Sequence, residues 1–223
     1  MSDTHDHRHE RDELILHTLC AYGGGYNELL SVAGWGKRGA PVGNVIRRME
    51  QAGDVHVERR ALDSRNWILP TERVCLRLKY PKHRASLPGG KALSDRVKFA
   101  TFCNLAGARR WPIEATDLVS LNEGGIGPEG TDRRHVITTE FDGETPVVMS
   151  VVFSISSLRE QIKRSTVGFA EMLAASDYGF FFLSETAQND TKKVENLRQQ
   201  APRIVVHDAV TIPTLSAYLR RNK

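Results

Sequence analysis

The residues best suited to chemistry in this chain come in one basic run. Lys37 and Arg38 stand in a glycine-rich turn, Asn44, Arg47 and Arg48 follow closely, and Arg59, Arg60 and Arg65 come after them. A guanidinium group makes paired hydrogen bonds to phosphate oxygens or to the O6/N7 edge of guanine. A carboxamide does the same at the N6/N7 edge of adenine, and lysine offers phosphate a compact positive charge. Such groups act only if the backbone presents them together, so the elements that carry them decide what they can do.

Pro41 suits the first turn of a helix. Val42, Val45, Ile46 and Met49 supply that helix with an apolar face, and Asn44, Arg47, Arg48 and Gln51 lie on its other faces. Gly53 is placed to end it. Val55, His56, Val57 and Glu58 then alternate as a strand does, residues 62–66 carry turn residues, and Trp67, Ile68 and Leu69 return as a second strand. Upstream, Leu14, Ile15, Leu19 and Cys20 recur at helical spacing over residues 10–22, with Asp12 and Glu13 in the first turn, where the helix dipole favours them. Gly23, Gly24 and Gly25 stop this helix, and a short one over 27–33 follows, with Asn27 as its expected N-cap.

Three helices and a β-hairpin in that order resemble the winged-helix family, and the run RRMEQAGDVHVERR…WILP is similar to that family's helix, glycine and wing pattern. The resemblance implies double-stranded DNA as partner, with the third helix in the major groove and the wing on phosphate or in the minor groove. On that reading Arg47 or Arg48 reads guanine and Asn44 reads adenine, while Lys37 and Arg38 hold phosphate. Arg59, Arg60 and Arg65 belong to the wing. Charge agrees: residues 10–84 carry 13 Lys and Arg against 9 Asp and Glu, whereas residues 85–223 carry 17 against 16, so the positive excess sits where a phosphate backbone would meet it.

Residues 73–80 alternate and read as a further strand or a linker helix. Residues 81–90, PKHRASLPGG, lack periodicity and mark a linker. Beyond it come a helix over 91–106, a break at Pro112, and a glycine-rich loop over 122–130 that lacks the Gly-Lys-Ser/Thr of a phosphate-binding P-loop. A strand over 134–141, a turn over 142–145 and a buried strand over 146–155 follow. After these, a helix over 158–175 capped by Ser156, a strand over 178–184, a helix over 190–200, a strand over 203–207 and a helix over 212–221 read as an α/β domain with at least partly parallel strands.

This order resembles the restriction-endonuclease-like fold. In that family an Asp opens one hairpin strand, an acidic residue and a Lys close the next, and together they hold Mg²⁺ and place a hydroxide at phosphate. Asp132 matches the first carboxylate. The second strand has Ser150 and Val152 where the family has its acidic residue and lysine, so Glu140 and Asp142 stand in as carboxylates and Lys163 as a migrated lysine. The catalytic candidates are therefore Asp132, Glu140, Asp142 and Lys163, with Asp132 and Glu140 as metal ligands. The departure at Ser150 and Val152 points to a degenerate site that needs no cofactor, with Mg²⁺ required only if the nuclease reading holds.

Net charge of +4 at pH 7, 40% hydrophobic and 26% charged residues describe an ordinary folded chain rather than a disordered one. No apolar run approaches a membrane span, and the polar N-terminus lacks an apolar signal core, so a cytoplasmic protein is expected. Cys20, Cys75 and Cys103 are scattered and odd in number, which argues for buried thiols rather than a disulfide framework or zinc site. The alternation of His5, His7 and His9 with charged residues suits a disordered start over residues 1–9. No G-x-S-x-G or HExxH signature is present and no G-x-G-x-x-G follows a strand, Cys103 has no evident histidine partner, and His135 and His207 fit structural roles in or beside strands.

The expected plan is thus a winged-helix domain over 10–80 and an α/β restriction-endonuclease-like domain over 91–223. The pairing is similar to replication-relaxation proteins of plasmids and mobile elements. It implies a DNA-binding protein that acts in replication, mobilisation or control of such an element and can pair as a homodimer. The alternatives are an active metal-dependent nuclease or nickase, and a transcriptional regulator whose C-terminal domain dimerises or senses a ligand.

Overall fold

The computed structural model of the chain describes residues 3–37, 39–62, 65–104, 109–113, 134–141, 145–184 and 186–208. These form two compact units of mixed α/β content, Met1–Asn104 and Leu105–Lys223.

In the first unit, α1 spans Asp3–Tyr22, so the histidine run expected as a disordered start is helical. Extending a helix that is already nucleated by buried Ile15, Leu16 and Leu19 costs little per added residue. The glycine stop is as read: a Cβ on Gly24, at φ +120°, would lie 2.1 Å from the Trp67 indole nitrogen. Helix α2 spans Asn27–Trp35, and its N-cap is Tyr26, not Asn27. The Tyr26 hydroxyl is 2.8 Å from the Thr101 hydroxyl, so packing rather than a capping side chain sets this helix start. Helix α3 spans Gly43–Gln51. Gly53 at φ +71° closes it, with the Gly53 amide bonded to the Glu50 carbonyl at 3.0 Å and the Asp54 amide to the Met49 carbonyl at 2.9 Å.

Strands β1, Val55–Leu62, and β2, Arg65–Pro70, pair antiparallel. Helix α4 then spans Glu72–Arg77, which decides between the two readings of that stretch in favour of a helix. The segment expected as a linker lies inside the first unit. It contains a 3-10 turn at Lys82–Ala85 and leads into α5, Gly90–Cys103. Proline, glycine and basic residues here make turns that pack: Tyr80 and Ala85 contact the core, and Arg96 donates to the carbonyls of Gly23 (2.8 Å) and Ser86 (3.1 Å). The core joins Ile15, Leu19, Leu30, Ile46, Val55 and Ile68. Cys20 and Cys75 meet within it as free thiols, 3.9 Å apart, and burial pushes both thiols up from their ordinary pKa.

The second unit holds a five-stranded sheet of β3 (Arg110–Ile113), β4 (Arg134–Thr138), β5 (Val147–Val152), β6 (Tyr178–Ser184) and β7 (Ile204–Asp208), in that spatial order. Pairings β3–β4 and β4–β5 are antiparallel; β5–β6 and β6–β7 are parallel. Helices α6 (Ile155–Gly168) and α7 (Ala170–Ala174) connect β5 to β6, and α8 (Ala187–Arg198) connects β6 to β7. Strands β5 and β6 are buried at every position, as central parallel strands are. Leu158, Ile162, Phe169, Phe180 and Val194 join one core on the helix-covered face.

Two sequence expectations change here. Pro112 lies in β3, where the sequence suggested only a break; at the edge of the sheet a missing N–H costs no ladder bond. The cap of α6 is Ser154, whose hydroxyl accepts from the Ser157 amide at 3.2 Å, not Ser156. The helix expected over 212–221 lies outside the described residues.

Candidate nucleic-acid interface

Helix α3 buries Val42, Val45, Ile46 and Met49 at its start and along one side. Asn44, Arg47, Arg48 and Gln51 are all exposed, and their spacing of three, four and seven residues puts them on one helical face. The preceding turn is pinned by Ser31, itself buried, whose hydroxyl donates to the Lys37 carbonyl at 2.7 Å and accepts from the Ala40 amide at 2.8 Å. Lys37 is exposed at that turn, and Arg38 lies outside the described residues. Among the described residues, neither Lys37, Asn44 nor Arg47 has a side-chain hydrogen bond or ion pair.

Arg48 differs from its neighbour. Its guanidinium donates to Asp12 on α1, and Asp12 also accepts from Arg11 at 2.8 and 3.1 Å. The far end of α3 is tied down too: Arg73 donates to the Ala52 carbonyl at 2.8 Å and to Asp54 at 2.9 Å, a cation where the helix dipole is negative. With the Arg77–Glu13 pair at 2.6 Å, these contacts line a cleft of about 500 Å³ among α1, α3 and α4. The three arginines are about half exposed or more, so solvent screening leaves each pair worth well under about 1 kcal/mol. Their effect is on where side chains point.

On the hairpin, the β1–β2 register slips between Glu58 and Leu62, so residues 59–61 face residue 66 alone. Such a bulge bends the strand and re-aims its side chains. Arg59 is exposed there and has no partner among the described residues; Arg60 and Arg65 belong to β1 and β2.

The acidic candidates of the second unit do not form a comparable group. Asp132 and Asp142 lie outside the described residues. Glu140 accepts from Arg110 Nε at 2.8 Å and from the Arg109 amide at 3.2 Å, so its carboxylate already has a cation. The Arg110 side chain is 7% exposed and lies over the Phe181 ring, 5.0 Å from its centroid. Lys163 is on the exposed side of α6, whose buried residues Leu158, Ile162 and Ser165 face inward. Arg134 opens β4, and Glu140 lies in the turn beyond its end. Among the described residues no group of three or more His, Cys, Asp or Glu side chains is placed to hold a metal ion.

Sequence reasoning missed two charged clusters. One is Asp12 with Arg11 and Arg48. The other is at the end of β6, where Asp190 accepts from Ser184 (2.7 Å), Thr186 (2.9 Å) and Lys193 (3.0 Å). The Ser184 bond foremost, with that of Lys193, holds the Asp190 carboxyl below its ordinary pKa. The local spacing at this strand-to-helix junction is legible as a serine turn, with the Ser184 hydroxyl accepting from the Thr186 amide at 3.0 Å; the Asp12 contact is long-range and has no local signal. His135 is buried and 3.1 Å from the Tyr178 hydroxyl, in keeping with its expected structural role. No protein-family model, curated protein or solved structure matches this chain. Among the described residues no helix is long and apolar enough to cross a membrane.

Proposed function

We propose that this protein binds double-stranded DNA through α3 and the β1–β2 hairpin, which act as the recognition helix and wing of a winged helix. The observation that carries the proposal is the division of α3 into a buried apolar face and an exposed face of Asn44, Arg47 and Gln51. Exposed guanidinium and carboxamide groups on a helix that is fastened at both ends are what major-groove readout requires. Arg59 on the bulged strand supplies phosphate contact from the wing.

The second unit fits a restriction-endonuclease-like domain that has lost catalysis and serves DNA binding or self-association. The antiparallel run β3–β4–β5 followed by parallel crossovers supports that reading of its fold. The engagement of Glu140 by Arg110 and the outward position of Lys163 support the loss. A role in replication, mobilisation or control of a plasmid, phage or other mobile element rests on the resemblance of the whole plan.

The test is an electrophoretic shift on duplex DNA across a salt series. Replacing Asn44 and Arg47 together by Ala weakens binding at least tenfold and flattens the dependence of log K on log salt. Unchanged affinity with an unchanged slope would remove α3 from the interface. Incubation with supercoiled plasmid and Mg²⁺ is expected to leave the plasmid intact; nicking that vanishes in Asp132→Ala would overturn the inactive reading.

A further inference from the structure

Arg47 and Arg48 are adjacent in sequence but not equivalent. Arg47 has no partner among the described residues, whereas Arg48 is bound by Asp12. Asp12 is itself fixed. Arg11 donates to it twice, and the Arg11 guanidinium lies 4.9 Å from the centroid of the Trp35 ring at the end of α2. Gly34 makes room for this: a Cβ there would come within 3.1 Å of Arg11 Cγ and of Ile15 Cδ1. The chain of contacts Trp35–Arg11–Asp12–Arg48 therefore joins α1, α2 and α3. Asp12 is 21% exposed and carries the only carboxylate bound to Arg48 among the described residues.

We infer that Asp12 is a positioning residue of the proposed interface, one that holds Arg48 in an internal ion pair and leaves Arg47 as the single arginine of α3 that engages DNA. The inference rests on the duplex-binding reading. Its physical basis is competition: a phosphate must displace a carboxylate that Arg11 already holds in place, while Arg47 meets no such competitor. Two neighbouring free arginines would raise affinity for any duplex, because phosphate contact carries no sequence information. Restraining one of them lowers non-specific binding.

The experiment measures duplex binding of the full chain against salt for the wild type, Arg47→Gln, Arg48→Gln, Asp12→Asn and the double variant Asp12→Asn/Arg48→Gln. Arg47→Gln is expected to lower the slope of log K against log salt by about one, and Arg48→Gln to leave it unchanged. Asp12→Asn is expected to steepen the slope by about one and to tighten binding to non-specific duplex several-fold, and adding Arg48→Gln cancels both changes. A purely structural role for Asp12 would not produce that cancellation. If Arg48→Gln lowers the slope as Arg47→Gln does, or Asp12→Asn leaves it unchanged, the inference fails while duplex binding stands. The two Gln variants in the wild-type background decide the matter even if Asp12→Asn does not fold. If the folded wild type binds no duplex, the functional reading fails and takes the inference with it.

Discussion

The two units treat charge in opposite ways. In the first, α3 turns Asn44 and Arg47 outward with no internal partner among the described residues, and only Arg48 is answered, by Asp12. In the second, Glu140, which the sequence marked for chemistry, is turned to the protein itself and holds Arg110 against the sheet, and Asp190, which it did not mark, joins the end of β6 to the start of α8. An ion pair whose arginine is 7% exposed is part of the architecture, because its charges cannot return to water without unfolding. An uncommitted arginine in solvent adds little to the fold and is free for a partner. The state of engagement, more than residue type, separates an interface from a framework.

The contrast can be broken in several ways. The largest effect is expected at Gly179, where a Cβ would lie 2.5 Å from the backbone carbonyl oxygen of Arg203. Gly179→Ala should destabilise the second unit by about 3 kcal/mol, since the Arg203 carbonyl, which already accepts from the Phe180 amide, cannot move aside as a side chain can. Calorimetry that showed the first unit melting earlier by the same amount would mean that the units do not fold separately. Glu140→Ala comes next. It strands the Arg110 charge and should cost about 2 kcal/mol, less than a fully buried pair because Glu140 is 21% exposed. Denaturant unfolding that found the variant as stable as wild type would free Glu140 for the catalytic role the sequence suggested.

Arg47→Ala sharpens the comparison from the other side. Its effect on stability should stay within about 0.5 kcal/mol, as for an exposed residue without partners, while duplex binding falls by about 1–3 kcal/mol. Loss of stability instead would place Arg47 in the framework. The smallest effect is on pH dependence. Burial, and then the Arg110 charge, hold the His207 imidazole below its ordinary pKa of 6.5, with Glu140 opposing them. The unfolded chain therefore takes up a proton before the folded one does. Stability of the second unit is at its full value above that pH and declines as pH falls through the ordinary imidazole range towards the lower folded value. A His207→Phe variant should lose that decline in a series of thermal melts; an unchanged profile would assign it elsewhere.

Much of this was legible locally. Strand β6 falls on the residues read from the run YGFFFLS, and β5 lies within the buried stretch read from PVVMSVVFSI, because an apolar run between turn residues has few other outlets. The apolar stripe and closing glycine of α3 were visible for the same reason. Edge strand β3 was not, since Pro112 is excluded from strands on local grounds and tolerated only where the sheet has an open side. The extent of the first unit was also hidden: residues 81–90 have the composition of a linker, and only contacts such as Arg96 to the Gly23 carbonyl show the chain returning to the core.

By itself the sequence determined which helix and hairpin carry the basic residues, and that the second half alternates strands with helices. Period, glycine placement and charge act within a few residues, so one dimension suffices to read them. Only the tertiary structure decided which charges are spent. The partner of Arg48 lies on α1 and that of Glu140 on β3, each some 30 or more residues away in sequence, where no local pattern reaches and only packing brings the groups to hydrogen-bond distance.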